Sequence, residues 1–265
     1  RARARAAVVV AGPVAVAATA ATAVAAAAGL ATAAAAEVTG ADVPAHAAPS
    51  DGLRVLLAGA SGLIGRELLQ ALLADPQVAV VHSPGRRPLA LEHPKLVQHV
   101  VDFAALPVLP ALDEAYVALG TTIKQAGSQA AVRAVDFDAV VNTARAAHTA
   151  GARRLGIVSA MGADAASRVF YNRVKGEMEQ AVRAVGVDTT VFARPSLLEG
   201  DRSTLQQPPR AGERWLHVVM RALRPVTPAN LRAIEARDVA LSLMDAARTQ
   251  GPGAHVLLSG ALQRR

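Results

Sequence analysis

The sequence predicts an α/β protein built on a doubly wound parallel sheet, and two observations support this prediction. From Leu53 onward, short apolar segments alternate with segments whose apolar residues recur at helical spacing. The first apolar segment leads into a glycine-rich turn, Gly59 to Gly65, and then into a helical pattern. Strands that alternate with helices form βαβ units, whose right-handed crossovers place helices on both faces of one sheet.

The predicted elements follow one another at short intervals. The near-continuous apolarity of the first segment is typical of a strand that is buried on both faces. Strands are predicted over residues 53–58, 78–82, 96–101, 115–119, 154–159, 188–193 and 255–259. Helices are predicted over residues 62–74, 129–149 and 238–248, and a further helix begins near Tyr171. Together these elements predict a single Rossmann domain over residues 51–265, with its ligand at the carboxyl ends of the strands.

The interval 195–231 shows less regular periodicity than the rest of the domain. Its prolines indicate a small irregular region that covers the substrate, and they are Pro208, Pro209, Pro225 and Pro228. Asp238 comes just before the last helical pattern, and we expect it to be the N-cap of that helix rather than a catalytic acid.

Residues 1–50 differ in composition from the rest of the chain. Three arginines precede a charge-free stretch over residues 6–36 that consists mostly of Ala, Val, Thr and Gly. A secretory signal, a membrane-spanning helix and a disordered extension all fit this pattern, although Pro13 and Gly29 interrupt the run. We interpret it as a low-complexity, alanine-rich leader, disordered or targeting. The protein is expected in the cytoplasm, with export or membrane anchoring through residues 1–36 as the alternatives.

The composition excludes several kinds of site. The chain has no cysteine, so disulfide bonds, thiolate zinc sites and cysteine nucleophiles are excluded. Its seven histidines show no spacing that would place two imidazoles on one metal, and no metal site is predicted. The net charge is +7, but the arginines are interleaved with acids and aromatic residues make up only 3%. Nucleic acid is therefore not an expected partner.

The glycine-rich turn has the form expected of a dinucleotide-binding site. Such a turn needs glycines because the backbone must bend sharply and approach the pyrophosphate without a Cβ atom in the way. The N-terminus of the following helix offers amide groups and a positive dipole end to the anion. The candidate cofactor-binding residues of the turn are Gly59, Ser61, Gly62, Leu63, Ile64 and Gly65.

The end of the second strand distinguishes the two nicotinamide cofactors. An acidic residue there binds the ribose 2′-hydroxyl of NAD, whereas arginine accepts the 2′-phosphate of NADP. No Asp or Glu lies between Asp75 and Glu92, and Arg86 and Arg87 are adjacent in this interval. The sequence therefore predicts NADP, with NAD as the less favoured cofactor.

Two further segments follow predicted strands and are candidate cofactor contacts. Asp102 comes after the third strand, where it either contacts the adenine edge or serves as a turn residue. Gly120 and Thr121 come after the fourth strand and are expected to lie along the ribose of the cofactor.

A tyrosine and a lysine one helical turn apart form the candidate catalytic pair. On a helix, Tyr171 and Lys175 face the same way. The pKa of an unperturbed phenol is about 10, too high for easy proton exchange at neutral pH, and a neighbouring ammonium favours the phenolate. We therefore expect Tyr171 to be the general acid/base, and Lys175 to lower its pKa and bind the nicotinamide ribose. Ser159 ends the preceding strand and is expected to bind the substrate oxygen.

Five motifs follow one another along the domain. They are Gly59 to Gly65, Leu119-Gly-Thr-Thr122, Val158-Ser-Ala-Met-Gly162, Tyr171-Asn-Arg-Val-Lys-Gly-Glu177 and Arg194-Pro-Ser-Leu-Leu-Glu-Gly-Asp-Arg202. In this order they resemble the atypical short-chain dehydrogenase/reductase family, and within it the Tat-interacting oxidoreductase-like subgroup. The resemblance implies that Pro195 and Ser196 line the nicotinamide pocket. The family often has a second hydroxyl residue where this chain has Ala160, and it has no counterpart of the leader.

The motifs and the resemblance predict an NADP-dependent oxidoreductase that transfers hydride between nicotinamide and a carbonyl or alcohol substrate. The alternative is a non-enzymatic NADP(H)-binding regulator that contacts a protein partner, because the family includes such proteins. Sugar-nucleotide epimerisation or dehydration uses the same residues and is a third alternative. The expected partner is a small molecule, the expected assembly is a monomer or a homodimer, and membrane contact is expected only if the leader is an anchor.

Overall fold

A computed structural model describes residues 52–199, 230 and 232–264 of the chain. The strands of these residues are β1 (Leu53–Ala58), β2 (Val78–Gly85), β3 (Leu96–Val100), β4 (Glu114–Val117), β5 (Arg154–Val158), β6 (Thr189–Arg194), β7 (Leu198–Glu199), β8 (Ile234–Glu235) and β9 (Gly253–Leu258). Within the described residues, seven parallel strands form one sheet in the order β3-β2-β1-β4-β5-β6-β9, and β7 pairs with β8.

The helices lie on both faces of the large sheet. Those of the described residues are α1 (Leu63–Ala74), α2 (Ile123–Ala126), α3 (Gln129–Arg133), α4 (Val140–Thr149), α5 (Phe170–Arg183), α6 (Ala236–Thr249) and α7 (Ser259–Leu262). A π-helical turn, Ala134–Ala139, joins α3 to α4.

Two apolar layers hold these helices on the sheet. Along β1, Val55 and Leu57 pack on one face with residues of α1 and α6. Leu56 and Ala58 pack on the other face with residues of α4 and α5. Because successive side chains of a strand alternate between faces, a strand that is covered on both faces is apolar throughout. This is why β1 shows a continuous apolar run.

The strand order confirms the predicted doubly wound sheet. The chain runs outward from β1 to β3, crosses to the other side of β1 and continues outward from β4 to β6. β1 is therefore hydrogen-bonded to β2 on one side and to β4 on the other. This reversal is the topological switch point at which ligands of open α/β sheets bind. The glycine-rich turn directly follows β1 and lies at this point.

The second strand is longer than predicted. β2 runs to Gly85, and Ser83, Pro84 and Gly85 pair with residues of β3. A Ser-Pro-Gly sequence is typical of a turn. Here the adjacent strand β3 continues the pairing, and this tertiary contact overrides the local preference.

The helix predicted over residues 129–149 contains a π turn. α3 ends at Arg133, the π turn spans Ala134–Ala139, and α4 begins at Val140. The periodicity of apolar residues does not reveal such a turn, because the residues on either side remain helical. Turns of this kind are rare and occur frequently at functional sites.

The last long helix begins earlier than predicted, so Asp238 is not its N-cap. α6 starts at Ala236 after the N-cap residue Glu235, and Asp238 lies in its first turn. The physical reason is the pairing of β7 with β8, which keeps the backbone extended until Glu235. An acid in the first turn still interacts favourably with the helix dipole.

Two predicted segments lie outside the described residues. They are the leader, residues 1–50, and residues 200–229, which include all four prolines of the predicted irregular region. The division into a leader and a domain, and the cytoplasmic location, stay predictions. Among the residues that the structure describes, no helix combines the length and the apolarity needed to cross a membrane.

Candidate active site

The turn after β1 requires glycine at two positions. Gly59 has a φ angle of +88°, and a Cβ atom on it would lie 2.6 Å from the carbonyl oxygen of Ala118, just after β4. A Cβ atom on Gly65 would lie 2.0 Å from the carbonyl oxygen of Gly59. The turn, the start of α1 and the end of β4 are therefore packed backbone against backbone.

The N-terminus of α1 offers its backbone amides to a ligand. Gly62 is the N-cap residue and provides no side-chain hydrogen bond to the first turn. Leu63 and Ile64 are the first helical residues, and Ser61 before them is exposed. The unpaired amides and the dipole of a helix N-terminus favour an anion. The glycine cradle and this helix end fit the pyrophosphate of a dinucleotide.

The predicted contacts to the adenosine part of the cofactor follow β2 and β3. Arg86 and Arg87 come directly after β2 and are exposed. Asp102 is also exposed, and its Oδ1 accepts a hydrogen bond of 2.9 Å from the amide of Ala104. Of the two roles predicted for Asp102, this is the geometry of a turn residue. Its contact with the adenine edge stays a prediction.

The loop after β4 is held against the π turn. The amide of Thr121 donates a hydrogen bond of 2.9 Å to Oδ2 of Asp136. A Cβ atom on Gly120 would lie 3.4 Å from Oδ1 of the same aspartate. Asp136 lies within the π turn and is fully buried. This buried acid therefore fixes the backbone of the predicted ribose-binding loop.

Lys175 of α5 is buried in an ion pair. Its Nζ lies 2.8 Å from Oδ1 of Asp136, and the two side chains are 2% and 0% exposed. Oδ1 has no directed hydrogen bond among the described residues, so the contact is an ion pair rather than an aligned hydrogen bond. Nζ also lies 3.5 Å from the carbonyl oxygen of Val158. The ammonium is thus held at the carboxyl end of β5.

Tyr171 lies one helical turn before Lys175 and is partly buried. The pKa of its phenol lies above the ordinary value, chiefly because burial disfavours the phenolate. The charge of Lys175 lowers this pKa, as the sequence predicts, and the charge of Asp136 raises it. Burial outweighs the lysine, so the phenol of Tyr171 is protonated at neutral pH.

The hydroxyl of Ser159 is buried and hydrogen-bonded to a side chain of α5. Ser159 continues the face of β5 that carries Leu155 and Ile157 against α5, and it is 4% exposed. Its Oγ donates a hydrogen bond of 2.6 Å to Oε1 of Glu179. Glu179 is itself buried and accepts hydrogen bonds of 2.9 and 2.8 Å from Arg194. In the observed rotamer the Ser159 hydroxyl is therefore engaged with Glu179.

The segment after β6 is tied to its neighbours. The carbonyl oxygen of Pro195 accepts a hydrogen bond of 3.1 Å from the amide of Met161, in the loop after β5. The hydroxyl of Ser196 donates to the carbonyl oxygen of Arg232 and lies 2.9 Å from the hydroxyl of Ser259. Pro195 is buried and Ser196 is partly buried.

The structure brings most of the predicted site residues to one edge of the sheet. The glycine turn and the predicted residues after β2, β4, β5 and β6 all follow the carboxyl ends of parallel strands. The tyrosine and lysine of α5 join them because Lys175 reaches the end of β5. The side chain of Ser159 is the exception, since it bonds within the core.

The sequence interpretation missed two buried acids, Asp136 and Glu179. Asp136 lies about one helical turn from Val132 and from Val140, and both valines are fully buried. Glu179 lies three residues before Val182, which is fully buried on the same helix. An acid within a buried apolar stripe of a helix is rare unless it has a partner. That position within the stripe is the signal by which both residues could have been found.

The fold and the site together define the class of protein. A glycine turn at the switch point of a doubly wound sheet, followed by a Tyr-x-x-x-Lys helix, is the architecture of a dinucleotide-binding protein of the short-chain dehydrogenase/reductase type. The chain belongs to the NAD(P)H-binding family, whose model matches residues 59–222.

Two relatives confirm the resemblance to atypical members of this class. Protein HTATIP2 of Rattus norvegicus is 37% identical over 169 residues, which make up 61% of this chain and 67% of the relative. Protein FMP52, mitochondrial, of Coccidioides immitis is 33% identical over 162 residues, which make up 55% of this chain and 66% of the relative. The chain thus spans about two thirds of the length of the relatives it matches.

Solved structures share the fold at low sequence identity. MoeE5 in complex with UDP-glucose and NAD has a TM-score of 0.57 at 18% identity, covering 77% of this chain and 75% of that chain. UDP-N-acetylglucosamine 4-epimerase from Methanobrevibacter ruminantium M1, in complex with UDP-N-acetylmuramic acid, has a TM-score of 0.59 at 15% identity, covering 79% and 77%. These likenesses show the Rossmann fold.

Proposed function

We propose that the protein is an NADP-dependent oxidoreductase that interconverts a small carbonyl compound and its alcohol. The observation that carries the proposal is the pairing of a protonated phenol, Tyr171, with a buried ammonium, Lys175, on the helix after β5. This pair belongs to the sheet edge that also carries the glycine turn. When bound, NADPH supplies the hydride for the carbonyl carbon.

The residues of the glycine turn would hold the cofactor at its pyrophosphate. Gly59, Gly62 and Gly65 allow close approach of the backbone, and the first amides of α1 meet the negative charge. Gly120 and Thr121 would lie along the ribose. Pro195 and Ser196, together with the remaining predicted contacts, would complete the pocket.

Tyr171 would then move the proton. As the carbonyl oxygen gains negative charge, the phenol donates its proton to that oxygen, and the alcohol forms. The ammonium of Lys175 stabilises the phenolate that is left behind. Burial raises the pKa of the phenol, so it stays protonated at neutral pH until negative charge develops on the substrate oxygen. In the reverse direction the same group accepts the proton.

Ser159 would orient the substrate oxygen only in a second rotamer. In the observed rotamer, the Ser159 hydroxyl donates a hydrogen bond to Glu179. Glu179 in turn accepts a hydrogen bond from Arg194 at the end of β6. This observation favours a second candidate function, a non-enzymatic NADP(H)-binding regulator. In that case the pocket binds the cofactor, and no hydroxyl has to bind a substrate oxygen.

Binding and turnover measurements on the full chain test the two candidates. Calorimetric titration should show saturable binding of NADPH with higher affinity than for NADH. NADPH absorbance, followed across a panel of aldehydes and ketones, should fall with at least one of them. Tight NADPH binding without oxidation on any member of the panel would favour the regulator, and no affinity for either nucleotide would rule out both functions.

Arg86 and Arg87 provide a test of cofactor choice. Replacing both by alanine is expected to weaken NADPH binding about tenfold to a hundredfold, because a charge-assisted hydrogen bond contributes about 1.5–3 kcal/mol. NADH, which lacks the 2′-phosphate, should bind as before. The matched control is Arg153→Ala, an exposed arginine just before β5, at the opposite sheet edge. Equal losses for NADPH and NADH, or no loss, would contradict the assignment of these arginines to the 2′-phosphate.

A further inference from the structure

Asp136 lies where two parts of the proposed active site meet. Its Oδ2 accepts the amide hydrogen of Thr121 in the loop after β4, at 2.9 Å. Its Oδ1 lies 2.8 Å from the ammonium of Lys175 on α5. One buried carboxylate therefore joins the predicted ribose-binding loop to the helix that carries the proton donor.

The burial of this ion pair needs an explanation beyond stability. Removing two charges from water is costly, and an apolar pair of similar volume is often at least as stable. Lys175 has a second contact, the carbonyl oxygen of Val158, at the long distance of 3.5 Å. Asp136 is therefore the partner that fixes the position of the ammonium.

The backbone between α3 and α4 departs from a regular helix where it carries Asp136. Asp136 lies in the π turn, and the wider turn breaks the regular helical spacing at this point. Asp138, in the same turn, is exposed to solvent. The chain thus places two acids in one turn and buries only the one that meets the lysine.

We propose that Asp136 is a positioning residue that fixes the Lys175 ammonium beside Tyr171 and thereby sets the pH at which this pair releases its first proton. The inference deepens the proposed function, because it concerns the same proton donor. The proton transfer itself does not involve the carboxylate of Asp136, and the proposal gives this buried group a role.

The other charged groups around the pair are engaged with one another or exposed. Arg133 of α3 forms an ion pair with Glu177 of α5. Glu179, farther along α5, pairs with Arg194 of β6. Asp138 of the π turn faces solvent. Within the described residues, the buried carboxylate of the π turn is thus the charge in direct contact with the lysine.

The charge of Asp136 decides the sign of the effect. It raises the pKa of Tyr171. Removing that charge makes the first deprotonation of the pair easier. For coupled groups this first step belongs to the pair rather than to one residue. It should therefore move to lower pH in a variant without the charge.

The experiment compares the unmodified chain with Asp136→Asn and with the matched control Asp138→Asn. The asparagine at position 136 keeps an acceptor for the Thr121 amide and removes the charge. The control removes an equal charge from the same turn without touching the lysine. All three proteins are titrated toward alkaline pH without cofactor or substrate, over the range in which circular dichroism shows them folded.

Few tyrosines and lysines contribute to the signals of this titration. It contains two tyrosines and three lysines, so phenolate absorbance and lysine side-chain NMR report on few groups. Burial raises the pKa of the other tyrosine, Tyr116, far above its ordinary value, and Glu114 raises it further. Tyr116→Phe leaves Tyr171 as the only phenol in the sequence and so assigns the absorbance signal. Lysine-to-arginine replacement of Lys95 and of Lys124 assigns the NMR signals.

We expect the first proton loss of the pair to shift to lower pH in Asp136→Asn and to stay unchanged in Asp138→Asn. Equal midpoints in all three proteins, or equal shifts in both variants, would overturn the proposal. If Asp136→Asn is marginally stable, all three are titrated in trimethylamine N-oxide, which favours the folded state. Failure of this variant alone to fold under those conditions would indicate a purely structural role and also overturn the proposal.

This test is independent of turnover. It uses the protein without NADPH and without a carbonyl compound, so a missing oxidoreductase activity leaves its outcome intact. Conversely, if the protein is an active oxidoreductase and its Asp136→Asn variant titrates unchanged, the proposed function stands and the inference about Asp136 is wrong.

Discussion

Replacing Tyr171 by phenylalanine is expected to reduce carbonyl-dependent NADPH oxidation by about 10²–10⁴-fold, the usual contribution of a positioned general acid. The ring and its packing remain, and only the proton donor is lost. NADPH affinity should change little, because the phenol acts on the substrate oxygen. The measurements are kcat/KM for the best carbonyl substrate and calorimetric titration with NADPH.

The chain offers a matched control in its second tyrosine. Tyr116 is fully buried, and its hydroxyl donates to Glu114 on β4 rather than to a group at the carboxyl edge of the sheet. Tyr116→Phe should therefore keep turnover, with a stability loss of about 0.5–1.5 kcal/mol for the missing hydrogen bond. Comparable kcat/KM in the two variants would contradict the assignment of Tyr171 as proton donor.

Replacing Arg248 by methionine is expected to lower the free energy of unfolding by about 3–5 kcal/mol. Glu114 is 0% exposed, and both of its carboxylate oxygens lie 3.0 Å from Nε of Arg248. Nη2 of Arg248 also lies 3.0 Å from Oε2, as an ion pair without hydrogen-bond alignment. Without the arginine, Glu114 is left as a buried charge, which Arg154 at 3.6 Å offsets only in part. Urea denaturation at neutral pH measures the loss.

A double variant separates the buried charge from the packing. Removing both partners in Glu114→Leu/Arg248→Met should cost less than Arg248→Met alone, because the fully buried carboxylate is gone and Asp75, the other partner of Arg248, is partly exposed. The control Arg153→Met removes a guanidinium whose side chain is 83% exposed and should change stability by no more than about 0.5 kcal/mol. If Arg248→Met and Arg153→Met unfold at the same urea concentration, the network around Glu114 is not a source of stability.

The strands were predictable because burial by the covering helices leaves a pattern that can be read within each segment. β1 matches its predicted bounds, since burial on both faces demands apolar residues at every position. The end of β2 was not predictable, because Ser83, Pro84 and Gly85 resemble a turn until β3 pairs with them. The start of α6 was likewise decided by a distant pairing, that of β7 with β8.

The candidate site divides in the same way. The glycine turn and the tyrosine–lysine spacing follow from rules that act within a few residues: close backbone approach and the period of a helix. The orientation of Ser159 does not follow from such a rule. It depends on Glu179, which reaches Ser159 from another element and accepts a hydrogen bond from its hydroxyl.

By itself the sequence determined the doubly wound sheet, the family and the positions of the residues proposed to hold a dinucleotide. Each of these rests on periodicity or on motifs that are contiguous in the chain. Only the tertiary structure decided which charges meet in the core, Lys175 with Asp136, Glu179 with Arg194 and Glu114 with Arg248. The physical reason is that a buried charge is tolerated only beside a partner, and the partner comes from a different element of the fold.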